Sequence, residues 1–287
     1  MTTRNGVVRS VSKIVDNGSE RNRWDLVVLG DGYRAEELAK YERDVLATVD
    51  AIFETAPFDR LRAAINVHRV NVESTDSGAG DLCAGISRAT FFTSNYCGRK
   101  IPHLLVADTT VALETALDEV PTMNATLLLV NSDRYGGSGG AVPVCSVASA
   151  AFNVALHEMG HSHFGLADEY SDPLAPGQDV FRGDEPPYPN VTARLAALKW
   201  RTQASPGIEI PTTNNSNCSS VDDRPSHVPL TSVGAFEGAF YHHCGVYRPQ
   251  YDCKMRNVEA DFCAVCTAVI DMVLRPFLPK KQRSVRK

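Results

Sequence analysis

Unbroken apolar runs alternate with amphipathic stretches along the first half of the chain. Trp24 to Leu29 (WDLVVL) is apolar apart from Asp25 and closes on Gly30-Asp31-Gly32, which predicts a buried strand entering a tight turn. Ala35 to Phe53 spaces its apolar residues helically among Glu, Lys and Arg, so a surface helix packed on that strand is expected. Ile65 to Val72 alternates apolar and polar positions as a half-buried strand does. His68 on that strand has no partner at ligand spacing and is expected to be a surface or hydrogen-bonded histidine. A connection rich in Ser, Thr, Asp and Gly runs from Glu73 to Cys97. After it the pattern predicts a strand over His103 to Asp108, a helix over Thr109 to Leu117 and a fully apolar strand over Ala125 to Asn131.

Tyr135 to Gly140 (YGGSGG) reads as a flexible turn; with no Lys-Ser/Thr after it, it is not a phosphate loop. Ala141 to Val147 predicts a strand whose Pro143 forbids a central ladder position and so favours an edge. Such an edge can align an extended peptide by strand addition, or it serves only as protection against aggregation. Beyond Tyr170 the periodic runs fade. Asp172 to Pro189 and Ser205 to Pro229 read as ordered loops, Val191 to Trp200 as a short helix, and Cys263 to Leu274 as an amphipathic terminal helix. The alternation predicts an α/β (α+β) fold, with an N-terminal α/β subdomain over residues 1–165 and a loop-rich C-terminal subdomain over residues 166–287.

Candidate chemistry concentrates in one helix. Phe152, Leu156, Met159 and Phe164 fall near helical spacing, and Gly165 is placed to end the helix in a left-handed cap. His157 and His161, four residues apart, leave the same helical face and can grip one metal ion, while Glu158 can reach a water on that metal. HExxH is a short pattern that also occurs in ordinary amphipathic helices. Here, however, the chain turns straight into Asp168, Glu169 and Tyr170, returning an acidic residue as a three-ligand zinc site with an open fourth position requires. His163 lies two residues after His161, about 200° around the helix, and points away from that face.

Composition narrows the classes. At 287 residues and 43% hydrophobic content a sizeable core fits one large domain or two packed subdomains. A net charge of −5 argues against a nucleic-acid or anionic-membrane surface. Only the tail from Lys280 to Lys287 is basic, and it reads as a solvated end. No apolar run reaches membrane-spanning length, and the first ten residues lack the apolar core of a signal peptide. About two dozen residues precede the first predicted strand, so a large propeptide is not expected.

Eight cysteines permit a disulfide framework without demanding one. Cys263-Ala-Val-Cys266 lacks a second CxxC or a histidine pair at finger spacing, so a redox pair or separate disulfides with Cys244 and Cys253 are expected rather than a zinc site. N-x-S/T sequons stand at Asn124, Asn190, Asn214 and Asn217. His242 and His243 are neighbours that point apart on an extended segment, which suits substrate contact or packing.

Several stretches together resemble the M64 family of metallopeptidases, named for immunoglobulin A peptidases: DLVVLGDGYRAEEL (25–38), VNVESTDSG (70–78), HEMGHSHFGLADEY (157–170), FEGAFYHHCGVYRP (236–249) and CKMRN (253–257). The resemblance implies a metzincin-like fold with an N-terminal twisted mixed sheet, and a smaller loop-rich C-terminal subdomain in which Met255 forms a hydrophobic floor beneath the metal. The usual metzincin pattern HExxHxxGxxH/D sets its glycine and third ligand where this chain has Phe164 and Ala167. Gly165 and Asp168 each fall one place later, which makes Asp168 the expected third ligand and Glu169 its rival.

The expected function is therefore a zinc-dependent endopeptidase acting on a protein or peptide substrate. His157, His161 and Asp168 hold Zn2+, Glu158 is the general base, and Tyr247, or after it Tyr251, donates to the oxyanion. The alternatives are a noncatalytic protein- or glycan-binding module on a peptidase scaffold and a zinc amidohydrolase on a nonpeptide amide.

Overall fold

The computed structural model describes residues 1–172 and 177–280. The basic tail lies outside the described residues apart from Lys280, as do four residues of the loop expected over Asp172 to Pro189. The chain divides into two compact units, Met1–His163 together with the chain from Val273 onward, and Phe164–Met272. The first division falls at the end of the HExxH helix. The second falls inside the terminal helix, which the sequence assigned wholly to the C-terminal part.

The first unit is built on a seven-stranded mixed sheet. Its strands are β1 (Thr2–Thr3), β2 (Gly6–Val15), β3 (Trp24–Asp31), β4 (Ile65–Ser74), β7 (Ala125–Val130), β8 (Gly137–Ser138) and β9 (Val144–Ser146), with β5 (Gly80–Asp81) and β6 (Asn95–Tyr96) forming a separate pair. The order across the sheet is β1-β2-β4-β3-β7-β9-β8. β3 lies between β4 and β7 and runs parallel to both, and every one of its residues is buried. That is why it reads as an unbroken apolar run. Its crossover to β4 carries α1 (Leu38–Glu54) and the short α2 (Phe58–Leu61). α1 packs so closely on β3 that a Cβ at Gly30 would stand 2.7 Å from the Tyr41 ring, whose hydroxyl donates to the Val28 carbonyl at 2.8 Å.

The loop from Glu73 to Cys97 is ordered by a buried carboxylate. Asp31, at the end of β3, accepts from the backbone N–H of Phe92 at 3.0 Å and of Ser94 at 3.2 Å, and from the Ser74 hydroxyl at 3.1 Å. Cys83 and Cys97 close a disulfide across the same loop. His68 is buried with Nε2 3.0 Å from Asp25 Oδ1, a hydrogen-bonded core histidine.

Four sequence expectations are corrected. β2 was not foreseen; it pairs antiparallel with β4, and shifts in register between Val8 and Ser10 and between Lys13 and Val15 break its alternation. Residues 103–108 form no strand, because their backbone makes only single bridges, Leu104 with Gly137 and Val106 with Asn95. β9 is not the edge: β8, in the segment read as a flexible turn, pairs antiparallel outside it. Val191 to Trp200 is not an α-helix, because Thr192 is drawn into an antiparallel bridge with Tyr247, leaving only a 3-10 turn at Leu195–Ala197. The helix predicted over Thr109 to Leu117 forms as α3 (Thr109–Glu119), with Asp108 accepting from the Val111 N–H at 3.1 Å as its N-cap.

The second unit contains the hairpin of β10 (Phe236–Ala239) and β11 (His242–Arg248), long ordered loops, and most of the terminal helix α5 (Ala264–Leu274). Fully buried Arg248 ties the hairpin to its surroundings, donating to the carbonyls of Glu237 and Tyr251, each at 3.0 Å. Trp200, also buried, donates through Nε1 to Gly234 O at 2.6 Å. A disulfide joins Cys218 to Cys244, so Cys244 is not the partner of the CxxC pair. Among the described residues no helix is long and apolar enough to cross a membrane.

Candidate metal centre

The HExxH motif lies on α4 (Ala151–Phe164), which buries Ala155, Leu156 and Met159. The i, i+4 spacing brings the two imidazoles together with Nε2 of His157 3.1 Å from Nε2 of His161. Two nitrogen lone pairs at this distance repel unless a proton or a cation lies between them. Two nitrogens on a tetrahedral zinc at about 2.0–2.1 Å would be about 3.3 Å apart, close to what is seen. Glu158 completes the group, with a carboxylate oxygen within 4.8 Å of both histidine ligand atoms.

The rest of α4 explains why only these residues converge. His163 turns to the sheet side, its Nε2 3.4 Å from the Thr126 carbonyl and its ring edge-on to Trp24. Burial there lowers its pKa below the ordinary histidine value. Glu158, in contrast, is covered by backbone: an ideal Cβ on Gly139, just past β8, would stand 2.7 Å from the Glu158 Cδ. Gly139 thus lies directly against Glu158, a proximity the GGSGG run concealed by reading as a flexible turn.

In the second unit the chain leaves α4 through Gly165 at φ 63°, the left-handed conformation that ends a helix. Leu166, Ala167, Asp168 and Glu169 are all buried. Asn190 clamps this segment: its side chain accepts from Ala167 N and donates to Ala167 O, both at 2.8 Å. Being fully buried, Asn190 is no glycosylation acceptor despite its sequon.

The two adjacent carboxylates take different partners. Asp168 Oδ2 accepts from the hydroxyl of Tyr241. Tyr241 lies in the β10–β11 turn, where it and Phe240 hold positive φ of 66° and 49°. That turn is fastened to the same segment, Phe240 N donating to Asp168 O at 3.2 Å and Tyr241 N to Tyr170 O at 3.0 Å. Tyr170 packs edge-on to Tyr241 at 5.1 Å, and burial, with Asp168 beside it, pushes its phenol pKa far up. Glu169 turns instead toward three cysteines, its Oε1 accepting from Asn190 Nδ2 at 2.9 Å.

Tyr247 and Tyr251 have partners of their own. The Tyr247 hydroxyl is 3.5 Å from Asn214 Oδ1, and burial, reinforced by Glu237, pushes its pKa up to about 12. Tyr251 lies beneath the guanidinium groups of Arg248 and Arg256, 5.2 and 5.0 Å from its ring centre. The tyrosine whose hydroxyl donates to Asp168 Oδ2 is Tyr241, which the sequence reading passed over: nothing in FYHH marks a left-handed turn. His242 packs on Phe181, and His243 sets Nδ1 3.1 Å from Asp179 Oδ1. Met255 is fully buried, and its carbonyl accepts from the Glu169 N–H at 2.7 Å.

A mixed α/β protein whose helix presents a convergent His-Glu-His group has side chains that could hold a metal ion. More narrowly, the chain belongs to the IgA Peptidase M64 family, whose model matches residues 12–224 and 224–274. Membership supports peptidase activity. A comparison with curated proteins found no match.

Proposed function

We propose that the protein is a zinc-dependent endopeptidase of metzincin-like design. The observation that carries the reading is the 3.1 Å approach of the two Nε2 atoms on a helix that also presents Glu158. His157, His161 and Asp168 would hold the ion: two neutral imidazoles and one hard carboxylate are a catalytic zinc set that leaves a fourth position open. Zinc, when bound there, supplies Lewis acidity, acidifying water and polarising the scissile carbonyl.

The remaining work falls to this chain's own groups. Glu158 takes a proton from the attacking water onto its carboxylate and returns it to the departing amine nitrogen. Gly139, with no side chain, lets the backbone lie against that carboxylate and restricts where it can swing. Tyr241 directs its hydroxyl proton at Asp168 Oδ2 and so orients the carboxylate, as outer partners of metal ligands do. The family's label does not transfer a substrate, because specificity depends on the cleft loops of each chain.

The test is digestion of a mixed peptide library with and without chelator. Metal-dependent internal cleavage is expected, and Glu158→Ala should retain zinc while losing roughly 10²–10⁴-fold in rate. Full activity in that variant would refute the mechanism. Zinc retention by the native protein with no cleavage would favour the binding module.

A further inference from the structure

The second unit holds a group of metal-ligand side chains that the HExxH reading does not use. Cys253, Cys263, Cys266 and Glu169 are all buried, with ligand atoms within 4.8 Å of one another. The sequence argued against a zinc site at the CxxC because it lacked a second pair. The fold supplies the missing partners from 10 residues earlier in the chain and from the segment after α4.

The distances discriminate between the chemistries open to three thiols. A disulfide requires its sulfurs about 2.05 Å apart, whereas Cys253 Sγ and Cys266 Sγ are 3.7 Å apart. Two sulfurs on a tetrahedral zinc at about 2.3 Å are separated by about 3.8 Å, and a sulfur and a carboxylate oxygen by about 3.6 Å. Glu169 Oε1 lies 3.2 Å from Cys266 Sγ and 3.9 Å from Cys263 Sγ. The four atoms thus already form edges of a zinc tetrahedron.

Two further observations point the same way. The sulfurs accept backbone hydrogen bonds, from Cys263 N to Cys253 Sγ at 3.2 Å and from Cys266 N to Cys263 Sγ at 3.4 Å. Such N–H···S contacts stabilise thiolate charge. Glu169 Oε2 is buried with no hydrogen-bond partner, an unfavourable placement for a carboxylate unless a cation or proton meets it.

We propose that Cys253, Cys263, Cys266 and Glu169 form a second, structural zinc site. Three thiolates select a soft divalent ion over magnesium or calcium, and four protein ligands leave no open position, as in structural rather than catalytic sites. Binding releases the thiol protons to solvent. The ion ties the turn at Cys253 and the start of α5 to Glu169, the neighbour of Asp168, and so fixes the segment that carries the candidate third ligand of the first site.

The site is tested on the full chain by measuring zinc per molecule in the native protein and in a His157→Ala/His161→Ala variant. One zinc ion should persist in that variant, and adding Cys263→Ser should remove it. A variant without zinc would overturn the proposal while leaving the HExxH reading standing; one ion in both native protein and variant would support this site and refute the other. A second measurement needs no cysteine substitution. Native protein unfolded with chelator and without reductant should titrate four thiols, those of Cys145, Cys253, Cys263 and Cys266. Two thiols would show a disulfide in the group and overturn the proposal. Cobalt(II) loaded into the histidine variant should give an intense thiolate-to-metal absorption band; its absence would count equally against the site.

Discussion

Replacing Gly139 by alanine isolates the placement of the proposed base from every other property of the site. Gly139 does not hold a positive φ, so the alanine backbone is unstrained. The new methyl would stand 1.9 Å from Glu158 Oε2 and 2.7 Å from its Cδ, where non-bonded heavy atoms settle at about 3.5 Å. The carboxylate, at the end of a flexible side chain, therefore retreats by at least about 1 Å rather than the fold giving way. A 1 Å misplacement of a catalytic group costs on the order of 10²-fold in rate, equivalent to about 2.7 kcal/mol of barrier. Gly139→Ala should thus lower kcat/KM for an internally cleaved peptide by roughly 10²-fold, with zinc content and thermal midpoint unchanged. Because the loss acts through Glu158, Gly139→Ala should add little to Glu158→Gln in a double-mutant cycle. Undiminished kcat/KM in the single variant, or full additivity in the double, would refute the proposed role of Glu158.

Other residues give separate readouts. Asp168→Ala should lower zinc content and abolish hydrolysis, whereas His163→Ala, on the sheet side of α4, should leave zinc bound; metal analysis distinguishes them. Tyr241→Phe removes only the hydroxyl that meets Asp168 and should weaken zinc affinity by roughly 10–100-fold, read by competition with a chromophoric chelator. Cys218→Ser/Cys244→Ser opens a loop spanning a separation of 26 residues, and should lower unfolding free energy by about 3.5 kcal/mol on the chain-entropy account, measured by denaturant titration.

What the sequence disclosed follows from how each element is buried. β3 and β7 lie within the sheet, so continuous apolar runs identified them. α4 was legible because ligand spacing and apolar spacing share the same helical period, and Gly165 marked its end. β2 was hidden because its register shifts interrupt the two-residue alternation that an antiparallel strand otherwise shows. Leu104 and Leu105 misled in the opposite sense: Leu105 is buried in the core cluster with Phe91, Phe92 and Tyr96, but burial there comes from loop packing and not from a ladder. Gly139 and Tyr241 owe their roles to tertiary approach, one to a facing carboxylate and the other to a left-handed turn docked on a distant segment, and neither leaves a local trace.

Asp168 and Glu169 show most clearly where local reasoning ends. As neighbouring acids in an irregular turn, both were candidates for one ligand position, and spacing alone ranked them. Tertiary structure gives them different partners. Asn190 and the Met255 carbonyl pin the backbone, Tyr241 takes Asp168, and Glu169 is committed to Asn190 and Cys266. A Glu169 carboxylate shared with three thiols cannot also serve a histidine site, because leaving the thiols would break its bond to Asn190 within the same buried pocket. On this reading the acidic pair is two ligands for two ions. The second ion would hold rigid the backbone from which Asp168 projects, and a loop-rich unit would thereby offer the proposed ligand the fixed geometry that metal chemistry requires.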